Sequence, residues 1–243
     1  MINAIVLAAG ESKRMGMPKS LLRFPRRSPR REAPLCVGPA RRLQASGDGH
    51  PKRDTSRLGT HARPTTSGDT TFLEQIVSVL RRSEVGRITV VLGAEAARIR
   101  ASIDLSGVDI IVNEDYRKGQ LSSLMAGLQS VPSQTEAILL CLVDNPLITG
   151  ATVNRLVQAF HETDRPIVIP VFEGRRGHPA LFARAMFEEL LVAPADEGAR
   201  YVVQSHKDQV FEVDIPEPAI LARIDTPEDY LSRFGVAPRI IER

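Results

Sequence analysis

The sequence predicts an α/β fold, a single three-layer domain with a mostly parallel sheet covered by helices on both faces. Three observations carry that expectation. Short apolar runs alternate with helix-period segments along most of the 243 residues, and such alternation builds strand–helix–strand units whose strands lie parallel. Runs such as INAIVL and AILLCLV are apolar at nearly every position, as strands buried on both faces must be. The composition, 42% hydrophobic and 25% charged, is that of a globular chain long enough to bury a sizeable core.

Taken in order, INAIVL is a buried strand followed by a glycine loop. TTFLEQIVSVLRRS places Phe72, Ile76, Val79 and Leu80 on one helical face, with Thr70 or Thr71 as cap and Glu74 completing a capping box from Thr71. RITVVLG is a strand, AEAARIRASI a short helix and VDIIVN a strand. QLSSLMAGLQSV is a helix preceded by Gly119, and EAILLCLVD is a buried strand ending in a carboxylate. ATVNRLVQAFHET is an amphipathic helix and PIVIPVF a strand. PALFARAMFEELL and EGARYVVQSH read as helices, and QVFEVDI as a strand. TPEDYLSRF is a terminal helix with Pro in its first turn. In such sheets ligands bind beyond the carboxyl ends of the strands, so functional residues are expected just after INAIVL, ITVVLG, DIIVN and ILLCLV.

One segment breaks the alternation. From Pro25 to Asp69 the chain is rich in Arg, Pro, Gly, Ser and Thr and lacks periodicity. A structureless stretch of this length is foreign to a compact domain. It cannot bury enough apolar surface to offset its ordering entropy, so it is read as a disordered insertion over 25–69 that interrupts one domain spanning 1–243. The alternative is a mobile basic arm for an anionic partner. Residues 23–68 hold ten Arg and one Lys against Glu32, Asp48 and Asp54, a net of +8, whereas the whole chain is only +3. The folded body is therefore acidic, and no aromatic residues interleave the Arg clusters for base stacking, which points away from nucleic acid. No apolar run reaches about 18 residues, so no membrane span is expected. The first residues make a poor signal peptide, and the chain is read as cytoplasmic. Two cysteines, Cys36 and Cys141, without a CxxC argue against thiolate zinc and a disulfide framework.

The residues that can carry chemistry follow the strand ends. Gly10-x-x-x-Arg14-Met15-Gly16-x-x-Lys19 fits neither GxxxxGK[ST] nor GxGxxG. Its logic is still that of phosphate binding, because small residues at Ala8, Ala9 and Gly10 admit close backbone approach. Arg14 offers forked bonds to phosphate oxygens and Lys19 a point charge. An exposed turn with solvated basic residues would read the same way. Asp144, ending a buried strand, stands where an α/β enzyme holds a metal, or equally where a turn is capped before Thr149. Asp225, before Thr226-Pro227, reads by itself as a helix cap. Should the strand ends bring it beside Asp144, the two carboxylates could grip one Mg²⁺.

Together LAAGESKRMGMPKSLL, GQLSSLMAGL, LLCLVDNPLIT, GRRGHPALF, DEGAR and IDTPEDY resemble the MobA-like, GT-A-type nucleotidyltransferases, and within them the branch of the molybdenum cofactor cytidylyltransferases. The resemblance covers the chain outside the insertion. It implies a Rossmann-like nucleotidyltransferase domain whose backbone around Leu7, Ala8, Ala9 and Gly10 embraces a nucleotide, with Ser123 at the base or ribose. It further implies Arg14 and Lys19 on the triphosphate, Asp144 and Asp225 on Mg²⁺, and Arg14, Lys19 and Asp144 as the catalytic set. His178 and Arg200 would lie near the acceptor, although a turn histidine and a surface arginine are equal readings. The expected reaction is in-line attack of an acceptor phosphate on the α-phosphorus with loss of pyrophosphate. LAAG, where the guanylyl branch usually has LAGG, favours CTP over GTP, and molybdopterin or its molybdenum form is the expected acceptor, with a molybdenum enzyme as a possible partner. The alternatives are a sugar- or polyol-phosphate nucleotidyltransferase and a non-catalytic nucleotide-binding factor for molybdenum enzyme maturation. The insertion departs from the family's short connection, and Asn145 is given no role.

Overall fold

The computed structural model describes residues 1–25 and 69–241. Its elements are β1 (Ile2–Ala8), β2 (Arg23–Phe24), β3 (Thr70–Thr71), α1 (Phe72–Leu80), β4 (Ile88–Leu92), α2 (Ala96–Ser102), β5 (Asp109–Val112) and α3 (Gln120–Ser130). There follow β6 (Ala137–Leu142), α4 (Gly150–Thr163), β7 (Ile167–Phe172), β8 (Arg175–Arg176), β9 (Ala180–Ala183), α5 (Phe187–Val192), α6 (Ala199–Ser205), β10 (Val210–Asp214) and α7 (Pro227–Phe234).

One eight-stranded sheet runs in the order β10-β7-β9-β6-β1-β4-β5, with β8 beside β7. β1 pairs in parallel with both β4 and β6, and β5 and β10 are also parallel to their neighbours. All seven residues of β1 and all six of β6 are buried, as their nearly continuous apolarity requires. Alternate residues supply the two faces. Ala4, Val6 and Cys141 pack with α1 and α4 through Leu73, Ile76, Leu156 and Val157. Ile5, Leu7 and Leu140 pack on the other face with α3, α5 and α6 through Leu124, Leu190 and Val202. This is the expected three-layer arrangement. Among the described residues no helix is long and apolar enough to cross a membrane. Cys141, fully inside β6, has its thiol pushed up to about 12 by burial.

The helix starts follow their sequence signals. Thr71 Oγ1 accepts the Glu74 N–H at 3.2 Å and Glu74 Oε2 accepts the Thr71 N–H at 2.8 Å, which is the reciprocal box. α7 begins with the same device, Thr226 with Asp229, and with Pro227 inside its first turn.

One expectation fails. PALFARAMFEELL does not form a continuous helix: Ala180–Ala183 is strand β9, antiparallel to β6 and β7 and lodged between them. A 3₁₀ turn, Arg184–Met186, then leads into α5. A short apolar run carries no periodicity that separates helix from strand. The gap between β6 and β7 decides it, because a helix there would leave both strands' inner hydrogen-bonding edges unpaired. The hairpin Phe172–Arg175, turning through Glu173 and Gly174 at φ +49° and +72°, sets the direction of β9.

Of the segment read as a disordered insertion over 25–69, residues 26–68 lie outside the described residues. Its two flanks meet: Arg23 pairs with Thr71 and Phe24 with Thr70 in an antiparallel two-stranded ladder, and Arg23 Nε lies 2.8 Å from Asp69 Oδ2. A small aromatic cluster locks this junction. Phe24, Phe72, Tyr230 and Phe234 are in ring contact, and the Tyr230 hydroxyl donates to the Arg23 carbonyl at 2.6 Å.

α3 crosses β1 and β4 closely because Gly127 has no side chain: a Cβ there would sit 2.8 Å from Ile5 Cγ2. Gly127→Val is accordingly expected to lose about 2–3 kcal/mol of stability through overpacking, read as a lower urea midpoint with an unchanged slope.

Candidate functional site

The chain runs from β1 through α1 to β4 on one side, and returns to β6 on the other side of β1. A crevice opens beyond the carboxyl ends of strands at such a switch in direction. Here it is a cleft of about 540 Å³. The loop after β1 forms its floor, and the ends of β4 and β6 and the start of α3 form its walls. Leu7, Ala8, Ala9, Gly10, Ser123 and Asp144 all line it, as does Lys19.

The loop is shaped by its own hydrogen bonds. Met15 and Gly16 N–H groups donate to the Ser12 carbonyl at 2.9 and 3.0 Å, and the Lys19 N–H donates to Ser12 Oγ at 3.2 Å. Gly16 takes φ +73°, which favours glycine. Met15 is buried among Leu22, Phe72, Ile224 and Tyr230, so the loop is pinned by one apolar side chain. Ala9 packs closely on the end of β4: its carbonyl accepts the Ala94 N–H at 3.0 Å, and residue 93 must be glycine there, because a Cβ would lie 2.7 Å from that oxygen. Gly10 differs, since a Cβ there would meet no protein atom within 4 Å. No neighbour in the fold requires a glycine at this position. The open room beside it belongs to the cleft.

Asp144 and Asp225 come together. Lys19 Nζ bonds Asp225 Oδ1 and lies 3.7 Å from Asp144 Oδ2. The capping explanations for both carboxylates fall away, because Thr149 caps α4 and Thr226 caps α7. A backbone bond, Ile224 N–H to the Asp144 carbonyl at 2.8 Å, holds the two segments in register. Arg14 contributes 3.2 Å to Asp225 Oδ2 from an otherwise exposed side chain. Burial pushes the Asp225 carboxyl up, but the Lys19 hydrogen bond and the charges of Lys19, Arg223 and Arg14 outweigh it and hold it below the usual carboxylate range.

Arg223 escaped the sequence reading, although it stands two residues before Asp225. It donates to Asp144 Oδ2 at 2.9 Å and lies 3.5 Å from Asp225 Oδ2. The signal was the extended alternation: with Ile224 buried, its two neighbours face the other way together. Asn113 was missed too. It is buried after β5 and donates to both Ser122 Oγ at 2.9 Å and Ser123 Oγ at 3.0 Å, fixing the start of α3 at the cleft wall. Asn145 is a structural tie, donating to the Ile220 carbonyl at 3.1 Å.

His178 donates its backbone N–H to the same Ile220 carbonyl at 3.0 Å, and its Nδ1 is buried without a hydrogen-bond partner. Burial pushes its pKa down. The Asp144 charge opposes this and the Arg223 charge reinforces it. Its native value therefore lies below that of the unfolded chain. The unfolded state binds the extra proton first, and stability falls as pH drops from about 6.5 toward the native value. His178→Gln is expected to flatten that fall in melting temperature between about pH 7 and 5. Arg200 lies exposed in the first turn of α6. The preceding turn sits beside the start of α3, with a Cβ at Gly198 only 3.9 Å from Leu121 Cβ. Of the predicted site residues, Arg14, His178, Arg200 and Asp225 are not among those lining the cleft.

The donor set fits a hard divalent cation. Two carboxylates converge on one ammonium group, and Asp144 Oδ1 is buried with no hydrogen-bond partner. Among the described residues there is no group of three or more His, Cys, Asp or Glu that could hold a metal, so further ligands would come from substrate phosphates and water, the usual Mg²⁺ arrangement.

Comparison with known proteins agrees with this architecture. The MobA-like NTP transferase domain matches residues 55–210, a span that contains Asp144 but begins after the glycine loop. The nicotine blue oxidoreductase of Paenarthrobacter nicotinovorans is 27% identical over 169 residues, 65% of this chain and 80% of that protein. The molybdenum cofactor cytidylyltransferase of Escherichia coli K12 is 27% identical over 127 residues, 52% of this chain and 62% of that enzyme. Among solved structures, Rv0371c of Mycobacterium tuberculosis H37Rv superposes with a TM-score of 0.71 at 27% identity over 97% of both chains. Its manganese complex superposes at 0.65 and 24% identity, covering 97% of this chain and 98% of that one.

Proposed function

We propose, from the premise that the chain belongs to the MobA-like NTP transferase domain family, that it transfers CMP from CTP to a phosphorylated small-molecule acceptor, molybdopterin or its molybdenum form, and releases pyrophosphate. The observation that carries this reading is the meeting of Asp144 and Asp225 on Lys19 at the cleft floored by the glycine loop. A phosphate-binding loop alone serves many proteins. A carboxylate pair at its mouth is what a metal–polyphosphate needs.

In this reading the backbone around Ala8, Ala9 and Gly10 holds the nucleotide, and Ser123 contacts base or ribose. Arg14 and Lys19 leave the carboxylates and neutralise the triphosphate. Asp144 and Asp225 would hold Mg²⁺, which would supply charge neutralisation at the phosphates. Such a transfer needs no covalent nucleophile from the chain. Its contribution is to place the acceptor oxygen in line with the α-phosphorus and to stabilise charge on the leaving pyrophosphate. His178, neutral at physiological pH, and Arg200 are assigned to the acceptor side. The catalytic unit is one domain over 1–243, interrupted at 25–69, and the paired flanks of that segment support the assignment.

The test is pyrophosphate release with CTP, GTP, ATP and UTP, each against molybdopterin, a sugar phosphate and a polyol phosphate. Metal-dependent release with CTP and molybdopterin is the expected result. Release only with another acceptor moves the chain to the sugar- or polyol-phosphate branch, and release with no pair refutes nucleotidyl transfer. The similarity to a protein named as an oxidoreductase calls for one more arm. Metal-independent redox turnover of nicotine blue would favour that chemistry instead.

A further inference from the structure

Four carboxylate oxygens face one another where Asp144 meets Asp225, and three already carry a cation. Asp225 Oδ1 has Lys19, Asp225 Oδ2 has Arg14 at 3.2 Å and Arg223 at 3.5 Å, and Asp144 Oδ2 has Arg223 at 2.9 Å and Lys19 at 3.7 Å. The fourth, Asp144 Oδ1, is buried without a partner. Arg223 is the one of these cations that comes from the carboxylate's own segment and not from the nucleotide loop. Ile224 is anchored among Met15, Phe72 and Tyr230, so the extended chain must present Arg223 and Asp225 on the same side. The Ile224 N–H bond to the Asp144 carbonyl then sets Arg223 against both carboxylates.

We infer that Arg223 is a positioning residue that, with Lys19, keeps the carboxylate pair closed to a free divalent cation, so that the chain takes up metal together with a polyphosphate and not before it. The charge balance drives this. Three cationic side chains contact two carboxylates, leaving the cluster one positive charge in excess. A bare divalent cation would enter against that excess, at partly buried groups where water screens poorly. A metal–triphosphate brings net negative charge, and its oxygens offer Arg14, Lys19 and Arg223 new partners as they release the carboxylates. The Arg223 side chain is 51% exposed, so it can turn from the carboxylates to a phosphate without unpacking the core.

The inference takes the nature of the polyphosphate from the nucleotidyl-transfer reading, but its claim on Arg223 is tested without nucleotide. Mn²⁺ binding to the full chain is followed by electron paramagnetic resonance, first alone, then with α,β-methylene-CTP or with inorganic tripolyphosphate. For the wild type, either polyphosphate is expected to tighten Mn²⁺ binding at least about a hundredfold. Arg223→Met is expected to tighten nucleotide-free Mn²⁺ binding about tenfold, by removing one contacting charge, and Arg223→Lys, which keeps the charge, to stay near the wild type. Thermal melts check that both variants are folded. Equal Mn²⁺ affinity with and without polyphosphate, or an Arg223→Met affinity within about twofold of the wild type, overturns the inference. Failure of the CTP analogue to bind at all counts against the nucleotidyl-transfer reading, while tripolyphosphate and the nucleotide-free comparison still decide the part played by Arg223.

Discussion

Asp144→Ala is expected to lose at least about a hundredfold in the rate of pyrophosphate release, while its melting temperature stays within a few degrees of the wild type. The two halves of this expectation have separate physical origins. Asp144 stands at the carboxyl end of the most buried central strands, and its backbone carbonyl, which alanine keeps, holds Ile224. The side chain adds little net stability. Its Oδ1 is buried without a hydrogen bond, and that desolvation cost offsets much of the attraction to Arg223 and Lys19. After the substitution both cations still reach Asp225, so no buried charge is stranded. Catalysis has no such compensation, because one of the two carboxylates proposed for Mg²⁺ is gone. Asp144→Asn, which keeps the shape and removes the charge, is expected to fall as far. Steady-state rates and melts on the same preparations decide the matter. Turnover within about fivefold of the wild type would sink the metal assignment, and a parallel collapse of the melting temperature would make Asp144 a structural residue instead.

Most of the sheet and the residues that meet at the candidate site were legible in the sequence, and the failures have identifiable causes. β1, β4, β6 and β7 were legible because strands buried on both faces are apolar at nearly every position, and α1 and α7 because their caps are local chemistry. β9 was not legible: Ala180–Ala183 is a strand only because β6 and β7 leave a slot for it, and that slot is a tertiary fact. The convergence of Asp144 and Asp225 could be posed from sequence only as a condition, since it depends on strand order. Arg223 was missed for a subtler reason. The motif was read from Ile224 onward, whereas the side shared by residues 223 and 225 follows from the burial of the residue between them. Gly10 shows the opposite relation. The sequence already placed it among the residues that admit close backbone approach of a phosphate, and the fold adds that no neighbour requires a glycine there.

Lys19→Met is expected to lower turnover about a hundredfold and, unlike the Asp144 change, to destabilise the metal-free protein by about 2 kcal/mol. Its Nζ is the point at which the two carboxylates meet, and the side chain is only 12% exposed. Methionine preserves the length of the stem and leaves Asp144 and Asp225 facing each other without the cation between them. Breaking a buried pair by removing one partner typically costs about 3–5 kcal/mol, but Arg223 and Arg14 remain on the carboxylates, which brings the expectation down. The loss of turnover has a different source, the missing charge on the triphosphate, and stabilising the fold cannot repair it. Mn²⁺ should therefore separate the two effects. It restores the melting temperature of Lys19→Met more than it raises that of the wild type, because the vacated carboxylates accept it, yet pyrophosphate release stays low. Urea unfolding in chelator, melts over a Mn²⁺ titration and single-turnover rates test the three parts. Equal Mn²⁺ stabilisation of both proteins would show that Lys19 does not occupy the carboxylates in solution. Restored turnover on adding metal would show that its charge is not needed on the triphosphate.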